Sequence, residues 1–309
     1  MKLFIAALGM LFSIKLCAQA PIVAGNTYVN LWKKAVVKIE SIQQRYNFGQ
    51  VDAILHKQTD TMRHLSQHEK YNTQGELLTL KDTLRGTGII IYDGSKIYLV
   101  TAKHLIKATE NAADNAETIN DLISIKTNAG NKISNDISLM NLSESKVNLQ
   151  PFVFSSDNND IGIISFQKES YKKILAYLDL EGCAPVPVNA INSVDENNTG
   201  DEILAVGFPA LPGNDHNSIT LIKGTIAANS KTSPFFTANL NVYPGDSGSP
   251  VIKNNKVIGI LSVQSGISTN IDAAAHPYEM ASSTIVIKAS AILPLLRELQ
   301  RHEGSSSFK

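Results

Sequence analysis

The segment YPGDSGSP at residues 243–250 stands directly before the apolar pair Val251-Ile252 and places a serine between two glycines. Glycine and serine grouped in this way indicate a tight turn ahead of a strand. In such a turn the backbone N–H groups of Gly245 and Ser247 can point to one position and form an oxyanion hole for acyl transfer. An ordinary Gly/Ser turn has the same composition, so the functional interpretation depends on the surrounding chain.

Short β-rich runs separated by turn residues make up most of the chain around this segment, which is typical of an all-β sandwich or barrel. Asp93-Gly94 and Asn254-Asn255 are two of the intervening turns. The predicted strands are Ala35–Ile39, Thr87–Ile91, Ile97–Thr101, Ile161–Phe166, Ile203–Gly207, Leu221–Ala227, Val251–Lys253, Val257–Val263 and Thr284–Ile287.

Helical periodicity is clear only near the C-terminus, where Ile292, Leu295, Leu296 and Leu299 fall on one face of a predicted helix. A different composition marks residues 42–84, which are polar and rich in Gln, Lys and Thr. We expect this stretch to be an elaborated surface connection inserted between early strands.

A serine hydroxyl is a poor nucleophile at neutral pH. Catalysis by Ser247 therefore requires a histidine to accept its proton and a carboxylate to orient that histidine. His104 ends the apolar run that begins at Ile97, and Asp160 stands at the start of the run Ile161–Phe166. Either residue alone would more often be a cap or a polar turn residue. Together the three supply an orienting acid, a base and a nucleophile.

The segments around these residues resemble the trypsin-like, or chymotrypsin-fold, serine peptidases, whose local patterns are T-A-x-H, D-I/L-A/G at a strand start and G-D-S-G-x-P. The matching residues are Thr101–His104, Asp160–Gly162 and Gly245–Pro250, and the resemblance extends from about Ala35 to Leu299. Neither the His104 nor the Ser247 segment has the disulfide usual in the family. This absence resembles the bacterial secreted branch that includes glutamyl endopeptidases.

The resemblance implies an all-β fold of two antiparallel six-stranded β-barrels with a C-terminal helix. Residues 21–175 would form the first barrel, with the polar insertion at about 42–84, and residues 176–309 the second barrel and the helix. It also implies that His104, Asp160 and Ser247 are the catalytic residues and that the N–H groups of Gly245 and Ser247 form the oxyanion hole.

Three further residues are implied to bind substrate. Ser262 and Gln264 fall in a segment that resembles the family strand that pairs with substrate backbone and lines the specificity pocket. Asn241 falls where the floor of that pocket lies. Asn241 is neither the acid expected for a basic substrate side chain nor the base expected for an acidic one, so these residues do not predict a cleavage preference.

Residues 1–20 have a basic start at Lys2, a short apolar run and small residues at Ala18 and Ala20, which together are typical of a secretory signal peptide. A signal peptide would direct the chain to the periplasm or the outside of the cell. Its cleavage after either alanine would remove both Lys2 and Lys15, leaving 26 basic against 28 acidic residues. It would also remove Cys17, leaving Cys183 as the single cysteine. No intramolecular disulfide is then possible.

The composition excludes some classes of function. The 28 basic and 28 acidic residues balance, so the clustered basic surface typical of nucleic-acid binding is not expected. No stretch after the signal peptide is long and apolar enough to span a membrane. The α/β-hydrolase elbow is also excluded, because Ser249 stands where its second glycine is needed.

These features predict an exported serine endopeptidase that acts on polypeptides through an acyl-enzyme, with no cofactor and no metal. A catalytically inactive pseudoprotease that binds peptides in the same cleft remains the alternative. The oligomeric state is not predicted.

Overall fold

In a computed structural model of the chain, the described residues form mainly a large β-sheet, a closed β-barrel and flanking helices. The structure describes residues 26–45, 80–106, 122–126, 128–129, 132–133, 138–141, 151–155, 159–210, 218–262 and 284–305. The predicted signal peptide lies outside the described residues, as does the middle of the predicted insertion, residues 46–79.

The first half of the chain is built around one large sheet. Seven strands follow the order β7-β4-β1-β2-β3-β9-β8, β10 pairs in parallel with β2, and β5 and β6 form a separate pair. These strands are β1 (Val36–Arg45), β2 (Leu80–Tyr92), β3 (Ile97–Thr101), β4 (Leu122–Lys126), β5 (Asn128–Ala129), β6 (Lys132–Ile133), β7 (Ser138–Asn141), β8 (Phe152–Phe154), β9 (Gly162–Ser165) and β10 (Val186–Pro187).

The second half is a closed six-stranded barrel in the order β11-β12-β13-β16-β15-β14, with every pair antiparallel. Closure leaves no unpaired edge that could add a strand from another chain. The strands are β11 (Glu202–Gly207), β12 (Thr220–Asn229), β13 (Phe235–Asn239), β14 (Pro250–Lys253), β15 (Lys256–Ser262) and β16 (Thr284–Lys288).

Among the described residues, three α-helices flank the sheets: α1 (Asn26–Ala35), α2 (Lys172–Leu180) and α3 (Ile292–Ser305). The predicted C-terminal helix is α3. Its predicted apolar face, Ile292, Leu295, Leu296 and Leu299, is buried. Sequence periodicity was clear only for this helix, and it did not predict α1 and α2. In the described ranges, no helix is long and apolar enough to cross a membrane.

Each of the nine predicted strands coincides with an observed one, although most differ by a few residues at one end. The expectation was incomplete, because β4 to β8, β10 and β13 were not predicted. The boundary of the insertion also differs: β1 and β2 remain paired out to Arg45 and Leu80, so the strands continue into the stretch assigned to the connection.

Successive side chains of a strand point to opposite faces of the sheet, so neighbouring apolar residues pack into different cores. The described residues form three such cores. On β2, Ile90 belongs to the core of the first half, whereas Ile89 and Ile91 belong to a second cluster. That second cluster lies between the halves, since it also contains Val206 and Ile260 of the barrel. A third core fills the barrel. The two halves are therefore joined by a continuous apolar interface.

Helix α3 belongs to the second half in sequence but packs into the core between the halves, and its polar residues bind the β2–β3 turn. Gln300 donates a hydrogen bond to Asp93 Oδ2 at 2.6 Å, and Lys96 pairs with Glu303 at 2.7 Å. These contacts fix the C-terminal helix against the first half.

Shortening Leu299 to alanine should destabilise the whole protein, because this fully buried side chain fills the core between the halves. We expect a loss of about 2–5 kcal/mol in the free energy of unfolding, measured with urea. Arg297→Ala, an exposed change on the same helix, should shift stability by no more than about 0.5 kcal/mol. Equal effects of the two variants would contradict the assignment of α3 to the core.

Candidate active site

His104 and Asp160 come together because of how two neighbouring strands pair. β3 runs antiparallel to β9 with Thr101 opposite Gly162, so the end of β3 and the start of β9 meet at one edge. His104 follows β3 in a 3₁₀ turn, and Asp160 precedes β9. The backbone adds a link, since Lys103 N–H donates to the Asp160 carbonyl at 3.3 Å.

The Asp160 carboxylate binds His104 twice. Its Oδ2 lies 2.6 Å from His104 Nδ1, and its Oδ1 accepts the His104 backbone N–H at 2.9 Å. Burial of Asp160 alone would raise the pKa of its carboxyl, but the hydrogen bonds and charge interaction with His104 outweigh burial and lower it. An ionised carboxylate at Nδ1 favours the tautomer whose Nε2 can accept a proton.

Ser262 reaches the same carboxylate from the barrel. At the end of β15, the Ser262 hydroxyl donates to Asp160 Oδ2 at 2.7 Å and is buried. The side chain of this predicted substrate-binding residue therefore orients Asp160, which leaves only the Ser262 backbone for contact with substrate.

Ser247 lies in a turn held by both halves of the molecule. Its carbonyl accepts the Thr87 N–H of β2 at 2.7 Å, while the next residue, Gly248, donates its N–H to the Leu261 carbonyl of β15 at 2.7 Å. Gly248 has φ +86°, and a Cβ there would collide with the Thr87 carbonyl oxygen. Only glycine therefore allows β2 and the turn to approach this closely.

The N–H groups of Gly245 and Ser247 make no backbone hydrogen bond within the described residues. The carbonyls of the same peptide units are both bonded: Pro244 O accepts from Ala210 at 2.6 Å, and Asp246 O accepts from Ser249 at 2.9 Å. Because N–H and C=O point in opposite directions in a trans peptide, these bonds fix the two N–H directions. Both donors remain available to an oxyanion.

Thr87 is a structural residue of this site that sequence reasoning missed. Its hydroxyl donates to the Gly245 carbonyl at 3.0 Å and accepts the Phe208 N–H at 2.9 Å, and its carbonyl accepts the Thr101 hydroxyl. The indication of this role in the sequence was the segment Gly86-Thr87-Gly88, because its small side chains allow the backbone of another segment to come close to β2.

The Ser247 hydroxyl forms no hydrogen bond with His104 in the described part of the chain, although Ser247 is buried and His104 only partly buried. In enzymes without bound substrate such bonds are often long and shorten in the Michaelis complex. The first half thus contributes the histidine and its carboxylate, and the barrel contributes the serine and the two N–H donors.

The remaining predicted residues are placed as follows. Asn241 is exposed between the buried Leu240 and Val242, and Gln264 lies outside the described residues.

Cys183 is a free, partly buried thiol whose pKa is raised to about 12 by burial and by Asp179, so it is not a reactive thiolate.

Asp246, next to the nucleophile, is an unusual carboxyl. It is fully buried, its Oδ2 accepts the Tyr243 N–H at 2.9 Å, and its Oδ1 has no partner among the described residues. Burial raises the pKa of this carboxyl to about 7, and the Tyr243 hydrogen bond offsets this only in part. The carboxyl next to Ser247 is therefore largely protonated below neutral pH.

Comparison with known proteins identifies the class. The family model for the trypsin-like peptidase domain matches residues 86–260, which is more than half of the chain. The chain therefore belongs to the trypsin-like peptidase domain family, as the sequence motifs predicted. Membership implies a polypeptide substrate. Among curated proteins, a search found no match.

Two solved structures illustrate the likeness. Rv3671c from M. tuberculosis H37Rv, an inactive serine-to-alanine form, has 16% identity and a TM-score of 0.43, covering 92% of this chain and 95% of its own. The HtrA-type protease AlgW, a serine-to-alanine form with a decapeptide, has 15% identity and a TM-score of 0.53, covering 89% and 67%. The latter confirms the predicted chymotrypsin-like double barrel. The likeness to glutamyl endopeptidases stays a prediction.

Asp246 should make stability depend on pH. A carboxyl whose pKa rises from 3.8 to about 7 on folding stabilises the fold by on the order of 4 kcal/mol at low pH, and this contribution is lost as pH rises through that range. Asp246→Asn keeps an oxygen acceptor for Tyr243 but cannot ionise. The melting temperature of Asp246→Asn minus that of the wild type should therefore increase as the pH is raised from 4 to 8, because only the wild type loses stability through this group.

The matched control is Asp179→Asn, which makes the same charge change at an exposed position of α2. Its melting temperature should follow the wild type across the pH range. A difference between Asp246→Asn and the wild type that stays constant from pH 4 to pH 8 would show that Asp246 titrates normally.

Proposed function

We propose that the protein is an exported serine endopeptidase in which Ser247 is the nucleophile, His104 the general base and Asp160 the residue that orients His104. The proposal rests on the group of residues where the two halves meet. A histidine there is bound to a carboxylate, a serine lies between two glycines, and the N–H groups of Gly245 and Ser247 have no backbone partner among the described residues. Each part has the role that acyl transfer requires.

The proposed reaction begins when His104 Nε2 accepts the Ser247 proton and Ser247 Oγ attacks the scissile carbonyl carbon. The N–H groups of Gly245 and Ser247 bind the oxyanion that forms, and the ionised Asp160 stabilises the imidazolium. His104 then donates the proton to the leaving amine. Water, deprotonated by His104, attacks the acyl-enzyme and releases the acid, which restores Ser247.

We further propose that the chain acts in the periplasm or outside the cell. The basic start, apolar run and small residues of positions 1–20 support this location.

A fluorophosphonate probe tests the nucleophile directly. We expect the folded, mature protein to be labelled covalently at Ser247, with the site identified by peptide mass spectrometry. Ser247→Ala should abolish labelling, because no other hydroxyl is predicted to be activated by His104. Cleavage of a mixed peptide library should disappear in the same variant.

The same experiment separates the enzyme from the pseudoprotease. A folded wild-type protein that neither labels nor cleaves, yet binds peptides, would favour the inactive alternative. Labelling that persists in Ser247→Ala would show that the nucleophile is another residue.

Gly245→Ala tests the oxyanion hole. Gly245 has φ +100°, and a Cβ would collide with the Phe208 carbonyl oxygen, so the substitution must move the peptide that carries the N–H donor. Loss of one donor should lower kcat by about 10²–10³-fold, with a smaller change in KM.

Gly94→Ala is the matched control, because Gly94 also has positive φ (+105°) but lies in an exposed turn with no atom near its would-be Cβ. It should cost about 1 kcal/mol in stability and leave kcat unchanged. A Gly245→Ala protein with wild-type kcat would remove Gly245 from the oxyanion hole.

A further inference from the structure

Asp160 lies outside the ladder of β9, the strand that it precedes. β9 begins at Gly162, which is opposite Thr101 of β3 and Phe154 of β8. The strand pairing therefore stops short of Asp160 and does not fix the direction of its carboxylate. That direction has to be fixed in some other way, because a displacement of about 1 Å in a catalytic group can lower a rate by about 100-fold.

The Ser155 hydroxyl supplies this constraint, because it binds the peptide unit on each side of Asp160. Ser155 follows β8 and is buried. Its Oγ donates a hydrogen bond to the Asn159 carbonyl and accepts the Ile161 N–H at 3.2 Å. Since peptide units are planar, two fixed units determine φ and ψ of the residue between them. The backbone conformation of Asp160 thus depends on one side chain.

The backbone of Ser155 is itself held in place. Its N–H donates to the Ile161 carbonyl at 2.9 Å, and its carbonyl accepts a hydrogen bond from Lys103 Nζ at 3.3 Å. Lys103 directly precedes His104, and the Lys103 N–H donates to the Asp160 carbonyl at 3.3 Å. Lys103 therefore connects the segment that carries His104 both to Asp160 and to the serine that holds Asp160.

The position of the Asp160 backbone matters because the carboxylate makes two bonds to one residue. Oδ2 lies 2.6 Å from His104 Nδ1, and Oδ1 accepts the His104 N–H at 2.9 Å. Only one combination of backbone position and side-chain direction satisfies both bonds. The Ser262 hydroxyl, 2.7 Å from Oδ2, binds the carboxylate from the barrel. Ser155 acts from within the first half, on the backbone.

We propose that Ser155 is a positioning residue that holds Asp160 where its carboxylate orients His104. Lys103 supports this role by holding the Ser155 carbonyl. The proposal rests on the proposed peptidase function and adds two residues that act through Asp160 and not on the substrate.

Removing the Ser155 hydroxyl leaves the Asn159 carbonyl and the Ile161 N–H without this partner in a buried loop. Unpaired buried backbone groups are unfavourable, so the loop should shift until both groups find other partners. The Asp160 carboxylate then moves away from His104 Nδ1, and the tautomer whose Nε2 accepts the serine proton is no longer favoured.

Kinetics on a peptide that the wild type cleaves test this role. Ser155→Ala should lower kcat by about 10- to 100-fold and change KM by less than about 2-fold, because substrate contacts are kept while the orientation of His104 is lost. Lys103→Met removes only the contact with the Ser155 carbonyl and should lower kcat by about 3- to 10-fold. It provides the decisive variant if Ser155→Ala does not fold. Unchanged kcat in Lys103→Met contradicts the proposal.

A double-mutant cycle distinguishes action through Asp160 from a general structural effect. Asp160→Asn alone should lower kcat by about 10⁴-fold. If Ser155 acts only through Asp160, adding Ser155→Ala to Asp160→Asn should lower kcat no further. Losses that multiply in the double variant would show that Ser155 does not act through Asp160.

Ser165→Ala is the matched control. Ser165 lies at the other end of β9, is buried like Ser155, and its hydroxyl accepts the Gln167 N–H at 3.3 Å. This variant should retain the wild-type kcat and KM. Equal falls in kcat in Ser155→Ala and Ser165→Ala would overturn the proposal, because the loss of any buried hydroxyl beside β9 would then be sufficient.

Nitrogen-15 NMR of histidine-labelled protein separates this proposal from the proposed function, since it needs no turnover. His104→Gln identifies the signals of His104. The neutral imidazole should carry its proton on Nδ1 in the wild type and in Ser165→Ala, but on either nitrogen in Ser155→Ala. If no peptide is cleaved and this difference is present, the endopeptidase proposal fails and the positioning role stands. The same tautomer in Ser155→Ala as in the wild type rejects the positioning role even where cleavage occurs.

Discussion

The hydrogen bond from the Thr87 N–H to the Ser247 carbonyl is the contact on which the candidate site depends. It joins the central strand pair of the first half to the turn that carries the proposed nucleophile. The Thr87 hydroxyl extends the same link to Gly245 and Phe208. Gly248 is required because any side chain there would separate the two backbones. The position of Ser247 relative to His104 therefore follows from how the two halves dock, and not from either half alone.

A second link across the interface acts on the acid rather than on the serine. Ser262 follows Leu261, which pairs with the Ser247 turn through Ser249, and its hydroxyl binds Asp160. One short stretch of β15 thus contacts both the turn and the His104–Asp160 pair. Burial offset only by the Tyr243 N–H leaves Asp246 protonated below neutral pH, whereas the hydrogen bonds from His104 and Ser262 keep the buried Asp160 ionised. Two buried carboxyls in one site therefore differ in charge because their hydrogen-bond partners differ.

Local sequence patterns predicted the fold class, nine strands and the three segments that meet at the site, since alternation and turn chemistry are local properties. They did not predict β13, where Phe235 is exposed and Ala238 is buried, so hydrophobicity and burial disagree. They also missed α1, in which Asn, Thr and Val are weak helix formers and the buried Trp32 stabilises the helix by tertiary packing. The roles of Thr87 and Ser262 depend on partners more than 100 residues away and could be recognised only from the structure.

The division of the site between two halves has a consequence for folding. The barrel closes through pairings among residues 202–288, and the sheet of the first half through its own strands. Each can form its internal pairings before the other, whereas the Thr87–Ser247 and Ser262–Asp160 bonds require both. Contacts between residues so distant in sequence form late, because the entropy of closing the intervening chain is lost before they contribute. A chain with only one half folded has no complete candidate site, so the proposed activity would appear only once the two halves have docked.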